Sequence, residues 1–271
     1  MIHNLINSDI KLILQNLHVT ATEEEMQKKH VQGHSSVHHN MDPSVNVFFL
    51  LDDLKKGNQI PIFFPRRDPS STPHLSKEEA DSIPFSYKEI QLILHYFSFS
   101  QDSPQAKAME DTLRECEAVP IVGETKFCPT STQSMLNFVH YILGTVTEPI
   151  KSMSTTHLTE ATNDLRSYTI MEDPEEIPAP KLVSCHTMPY AYAVFYCHYQ
   201  ESESRIFKVS LRSEEGDRVE GMAACHMDTS HWGQNHVSFK VLGIKPGSSA
   251  VCHFFPSDNY MFVAETSIQS I

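Results

Sequence analysis

Residues 181–264 read KLVSCHTMPY AYAVFYCHYQ ESESRIFKVS LRSEEGDRVE GMAACHMDTS HWGQNHVSFK VLGIKPGSSA VCHFFPSDNY MFVA. Histidine follows cysteine four times in this stretch: Cys185-His186, Cys197-His198, Cys225-His226 and Cys252-His253, with 10, 26 and 25 residues between successive dipeptides. Runs rich in β-branched and aromatic residues occupy Lys181–Met188, Tyr190–Tyr199, Arg205–Arg212, Arg218–His226, His236–Ile244, Ala250–Phe255 and Tyr260–Ala264. Turn residues such as Glu215-Gly216-Asp217 and Pro246-Gly247-Ser248 separate them. Strands at this spacing predict an antiparallel sheet, sandwich or barrel-like half.

Successive side chains of a strand point to opposite faces. In Tyr190–Tyr199 the thiol of Cys197 therefore sits with Phe195 and Ala193, and the ring of His198 with Tyr196 and Val194. Sulfur goes to one layer and imidazole to the other. A Cys/His zinc finger needs both on one ion, usually through paired spacings that none of these cysteines has. The favoured reading is a division of labour, with sulfurs pairing as disulfides and imidazoles gathering opposite them. Four imidazoles without thiolate suit Cu(II), Zn(II) or Ni(II), and the residues alone do not choose. The competing reading makes the histidines incidental neighbours of disulfide cysteines.

Cys116 and Cys128 complete the six cysteines and are separated by a segment through Pro120 and Gly123. A local disulfide from a helix end to the next helix start is expected there. Connectivity among Cys185, Cys197, Cys225 and Cys252 stays open, since six cysteines allow several pairings. Disulfides imply an oxidising compartment, the alternative being buried free thiols in a cytosolic protein.

Upstream, Val45–Leu51 and Ile60–Phe64 read as strands around the turn-prone Lys56-Gly57-Asn58. Three helices are expected at Tyr87–Phe97, at Pro104–Glu117 after the N-cap Ser103, and at Ser131–Leu143 before the stop Gly144. Residues 145–180 are polar and proline-punctuated and read as a connection between halves. The expected class is α+β, with a helical N-terminal part followed by a predominantly antiparallel β C-terminal half that carries the four Cys-His motifs. Residues 1–44 hold no Phe, Tyr or Trp but do hold His30, His34, His38 and His39. They read as a tail or linker with a short helix around Asp9–Leu17, before a folded domain over 45–271.

Composition narrows the function classes. Lys and Arg total 21 against 34 Asp and Glu, a formal net charge of −13, which excludes an ordinary nucleic-acid binder. No run approaches the ~18 apolar residues of a membrane span. No signal peptide is recognisable at Met1–His18, and the expectation is a secretory-pathway protein, vacuolar or extracellular, from which it has been removed.

The pattern CH-x10-CH-x26-CH-x25-CH resembles the signature of the plant BURP domain. That signature continues to a Trp at the position held here by Phe262. Val47-Phe48-Phe49, Gly123-Glu124-Thr125-Lys126-Phe127-Cys128, Ser134-Met135 and Cys225-His226-Met227-Asp228-Thr229-Ser230 with Trp232 and His236 are similar to the family as well. His39-Asn40-Met41-Asp42-Pro43 looks like seed-type members. Some members of the family are copper-dependent peptide cyclases, which use O2 to join a Tyr or Trp of a ribosomal precursor peptide to another residue. Others are seed, stress or wall-associated proteins without known chemistry.

The resemblance implies copper as cofactor, held by His186, His198, His226 and His253 as metal ligands and catalytic residues. His236 and Asp228 are candidates for an additional ligand or for orienting an imidazole. A turn role for Asp228 weighs equally, and His231 reads as surface. Residues 1–86 contain no Tyr or Trp. The implied cyclase is therefore the split form, which acts with O2 on a separate precursor peptide containing Tyr or Trp. The alternative is a non-enzymatic extracellular or seed BURP-domain protein.

Overall fold

The structure is a computed structural model that describes residues 47–65, 72–145, 149–160 and 164–265. The tail 1–44 and its expected helix lie outside the described residues. Two antiparallel sheets form the frame. The larger runs β1 (Phe48–Leu50), β12 (Val251–Phe255), β11 (Arg218–His226), β10 (Ser204–Ser213), β6 (Leu165–Ile170) and β2 (Gln59–Phe63). In it β5 (Thr156–His157) also pairs with β11, and β7 (Glu175–Ile177) with β10. The smaller runs β3 (Glu124–Phe127), β9 (Val194–Gln200), β8 (Val183–Met188), β13 (Tyr260–Ala264) and β4 (Ile150–Met153).

The sheets pack on each other through Met222, Ala224 and Phe255 from the larger and Met153, Met261 and Val263 from the smaller. The opposite face of the larger sheet closes over Phe49, Ile62, Tyr168, Val209 and Phe254, with Cys225 and Cys252 among them. The outer face of the smaller sheet is covered by helix α4 (Thr132–Leu143). Met135, Val139 and Ile142 of that helix pack on Val183, Phe195, Phe262, Cys185 and Cys197. Their helical spacing is why α4 presents one apolar stripe. Its start is fixed by Ser131, whose hydroxyl accepts the Ser134 N–H.

Helix α1 (Lys77–Asp81) precedes α2 (Ile90–Tyr96) and α3 (Pro104–Glu117), and α2 and α3 form a separate cluster with Tyr190, Tyr192 and Val194. The mixed α and antiparallel β class stands, but the halves are less segregated than expected. β1 and β2, from the N-terminal side, take the two ends of the larger sheet's strand order.

Two stretches differ from their sequence reading. Residues 145–180, expected as a connection, contribute β4 to β7. These strands are short, and β6 buries only Tyr168 and Ile170 while its other residues stay polar or partly exposed, so its alternation is faint. His236–Ile244, expected as a strand, contains helix α5 (Val237–Leu242). His236 caps it by accepting the Ser238 N–H, and Gly243 ends it at φ +65°, a left-handed conformation that glycine adopts without strain. Phe239 and Leu242, three apart on the helix, then pack with Trp232 and Val251.

Candidate functional site

All six cysteines are paired, as Cys116–Cys128, Cys185–Cys197 and Cys225–Cys252. The expected local bridge thus joins the last turn of α3 to the residue after β3. The other two tie neighbouring strands. Cys185 stands directly opposite Cys197 in the β8–β9 ladder, and Cys225 opposite Cys252 in the β11–β12 ladder.

This register dictates where the following histidines go. In an antiparallel pair, one step forward on each strand moves in opposite directions and to the opposite face. His186 therefore stands opposite Tyr196 and His198 opposite Ser184, so that the two imidazoles meet diagonally. Likewise His253 faces Ala224 and His226 faces Val251. Both diagonals lie on the side away from the sulfurs, where the two sheets approach one another.

The four rings meet there. Centroids are 5.4 Å apart for His186–His198, 5.5 Å for His226–His253, 5.6 Å for His186–His253 and 6.3 Å for His198–His226. His186 Nε2 and His198 Nε2 approach to 3.3 Å. Phe255 stacks on both His186 and His253 as the floor of the group. The four histidines line a cleft of about 450 Å³ whose walls include Phe48, Trp232, His236, Tyr196 and Glu124.

Burial, with the neighbouring imidazoles adding to it, holds His186 and His226 well below the usual histidine range, and His253 is lowered to about 4. These rings are neutral at pH 7, each with one nitrogen free to accept a proton or a metal ion. Glu124 behaves oppositely. Burial pushes its carboxyl up, but bonds from His198, Tyr196 and the Ile121 N–H outweigh that and lower it.

The remaining candidates divide. His236 lines the cleft with its ring 4.5 Å from that of Trp232, but its Nδ1 is engaged by Ser238 at 2.7 Å. Asp228 is exposed and accepts the Ser230 N–H at 2.9 Å, closing a turn. Thr229 is spent in the same loop, bonded to Ser249 O and Gly247 N. His231 is exposed beside Asp228. Phe262 packs behind the smaller sheet with the Cys185–Cys197 bridge rather than in the cleft. Among the described residues, no group of three or more His, Cys, Asp or Glu side chains is already arranged to hold a metal ion.

Sequence reasoning left Glu124, Tyr196, Trp232 and Phe48 out of the site. Tyr196 was within reach, because it lies two residues before His198 on the same strand face. Glu124 depends on the β3–β9 pairing, which no local pattern announces.

A profile described as the BURP domain matches residues 47–264. The BURP domain-containing protein BNM2A of Brassica napus is 44 % identical over 230 residues, 83 % of this chain and 81 % of that protein. The BURP domain protein USPL1 of Arabidopsis thaliana is likewise 44 % identical over 230 residues, 83 % and 82 % of the two chains. RD22, a BURP domain protein of Arabidopsis thaliana, is 35 % identical over 224 residues, 82 % of this chain and 56 % of that one. The chain belongs to the BURP-domain family. Three disulfides in a plant-family domain are consistent with a secretory or extracellular location. Among the described residues no helix is long and apolar enough to cross a membrane.

Proposed function

We propose that the protein is a copper-dependent oxidative peptide cyclase that crosslinks a Tyr or Trp side chain of a separate ribosomal precursor peptide to another residue, using O2. The observation that carries this reading is the meeting of four imidazoles in one open cleft, with the sulfurs of Cys185, Cys197, Cys225 and Cys252 held on the far side of their sheets.

The donor set fits copper. Imidazole nitrogen is a donor that Cu(II) accepts, as do Zn(II) and Ni(II). His186 Nε2 and His198 Nε2 are 3.3 Å apart here. His186, His198, His226 and His253 are the residues that would hold the ion. Copper bound there would supply one-electron oxidation, with O2 accepting the two electrons and two protons released as one peptide crosslink forms.

The chain's own residues have three tasks. The paired cysteines keep thiolate, a strong copper ligand and an oxidisable group, away from the imidazoles. Phe48 and Trp232 give the cleft an apolar lining that limits water and offers ring faces to an aromatic side chain. The openness of the cleft admits a separate peptide, and the lack of Tyr and Trp in residues 1–86 favours a substrate in trans. The compartment this reading requires is oxidising, either vacuolar or extracellular.

The test is aerobic incubation of the copper-loaded protein with a panel of Tyr- and Trp-containing peptides. Loss of two hydrogens with a new intramolecular crosslink is expected, and it should disappear without copper or without O2. A panel left unmodified by demonstrably copper-loaded protein contradicts the reading. A non-enzymatic seed or extracellular protein is the second reading, and it draws on the stacking of His226 on His253 at 17°, an aromatic-core arrangement needing no ion.

A further inference from the structure

His198 differs from the other three clustered histidines in its surroundings. Its Nδ1 is buried, lies 3.2 Å from Glu124 Oε1, at ion-pair distance, and has no hydrogen-bond partner among the described residues. It is the one histidine of the four with a carboxylate at ion-pair distance among the described residues. His226 Nδ1, by contrast, meets only the neutral hydroxyl of Ser204, at 3.4 Å.

Glu124 is itself firmly held. Its Oε1 accepts the Tyr196 hydroxyl at 3.0 Å and its Oε2 accepts the Ile121 N–H at 3.2 Å. Ladder pairing of β3 with β9 sets Glu124 opposite Gln200 and Lys126 opposite His198. Glu124 is thus the diagonal neighbour of His198 on the cleft face, and the Cys116–Cys128 bridge anchors the end of its strand.

An ionised carboxylate only accepts hydrogen bonds, so the imidazole nitrogen facing it must carry the proton. With a single ring proton held on Nδ1, Nε2 is a lone pair, and the 3.3 Å approach of His186 Nε2 is then met by His186 donating. We propose that Glu124 is the positioning residue of the cleft: its carboxylate keeps the proton of His198 on Nδ1 and presents the Nε2 lone pair to His186 and the centre of the cluster. Carboxylate–histidine pairs of this kind raise ligand basicity and fix ring orientation. The bearing on copper rests on the proposed function; the tautomer assignment does not.

The experiment uses the full chain. Long-range ¹H–¹⁵N spectra of the metal-free protein, taken well above the ordinary histidine titration range, should show His198 as the Nδ1–H tautomer and His186 as Nε2–H. In Glu124→Ala the His198 preference should be lost, and Cu(II) titrated by calorimetry should bind about ten- to hundredfold more weakly. Glu124→Gln, which keeps an acceptor of the same length, should restore the tautomer and part of the affinity, and it serves if the alanine variant does not fold. His198 protonated on Nε2 in the wild-type protein overturns the proposal without any variant. So does a His198 tautomer that is unchanged in Glu124→Ala. Wild-type protein that shows the assigned tautomers but binds no copper leaves the role of Glu124 standing and removes the cyclase reading instead.

Discussion

Cys185 stands opposite Cys197 in the β8–β9 ladder, and Cys225 repeats the relationship with Cys252 in β11–β12. Each bridge forces the next residue of both strands onto the other face, and that residue is histidine every time. A dipeptide repeated four times therefore becomes two cystines facing two hydrophobic cores and four imidazoles facing one cleft. The bridges set the register on which the cluster depends.

Removing the bridges should show this in stability. The double variant Cys225→Ala/Cys252→Ala opens a link spanning 27 residues, and Cys185→Ala/Cys197→Ala one spanning 12. Each should cost about 2–4 kcal/mol, the first more by about 0.7 kcal/mol from loop entropy. Denaturant unfolding of both variants checks the size and the order, and unchanged midpoints would count against a clamping role.

Acid should destabilise the metal-free protein. Folded His253 is lowered to about 4 by burial, and His186 and His226 are also held low. Between that value and the ordinary ~6.5 the unfolded chain binds more protons, so stability rises with pH through this window and falls as pH drops. His253 alone corresponds to about 3 kcal/mol lost between pH 7 and pH 4. The lowered rings repel one another once charged, so their protonation is spread over the window in macroscopic steps that belong to the group rather than to single residues. A shallower slope over this range in His253→Phe than in the wild type assigns that share of the effect to the cleft, and an unchanged slope contradicts it.

Gly221 is a packing constraint on the same strand as Cys225. A Cβ there would lie 2.9 Å from Phe254 and 3.0 Å from Leu211. Gly221→Ala should therefore destabilise by about 1–3 kcal/mol through overpacking, measured by urea unfolding. An alanine variant as stable as the wild type would show that Phe254 shifts freely.

Much of this arrangement is legible in the residues, and the illegible parts share a cause. Strand alternation separates sulfur from imidazole in Cys197-His198 without any structure. Pro104–Glu117 is found with its N-cap because capping and periodicity are local. What is non-local is hidden. That β9 neighbours β8 and β3, while β11 neighbours β12, decides both the cystine pairing and the meeting of the four rings. Glu124 enters the cleft through such a pairing. His236–Ile244 misleads for a local reason, since Val237, Phe239 and Val241 alternate like a strand, whereas the His236 cap and Gly243 select a helix. Asp228 has the polarity of a ligand-orienting residue and uses it on Ser230 instead.

Residues 1–44 should not be a substrate of the domain that follows them. They contain no Phe, Tyr or Trp, and oxidative crosslinking as proposed begins at a phenol or indole. Aerobic incubation of the copper-loaded chain alone should leave tryptic peptides from this segment at their calculated masses. A peptide from it that has lost two hydrogens would contradict action in trans.

Copper content is the most direct test of the cleft as a metal centre. Wild-type protein loaded with Cu(II) and freed of excess should retain copper with an EPR spectrum of nitrogen ligation. His198→Ala and His253→Ala, one from each sheet, should each lose most of the metal and that nitrogen coupling. Wild-type copper content and an unchanged spectrum in both variants would contradict the account.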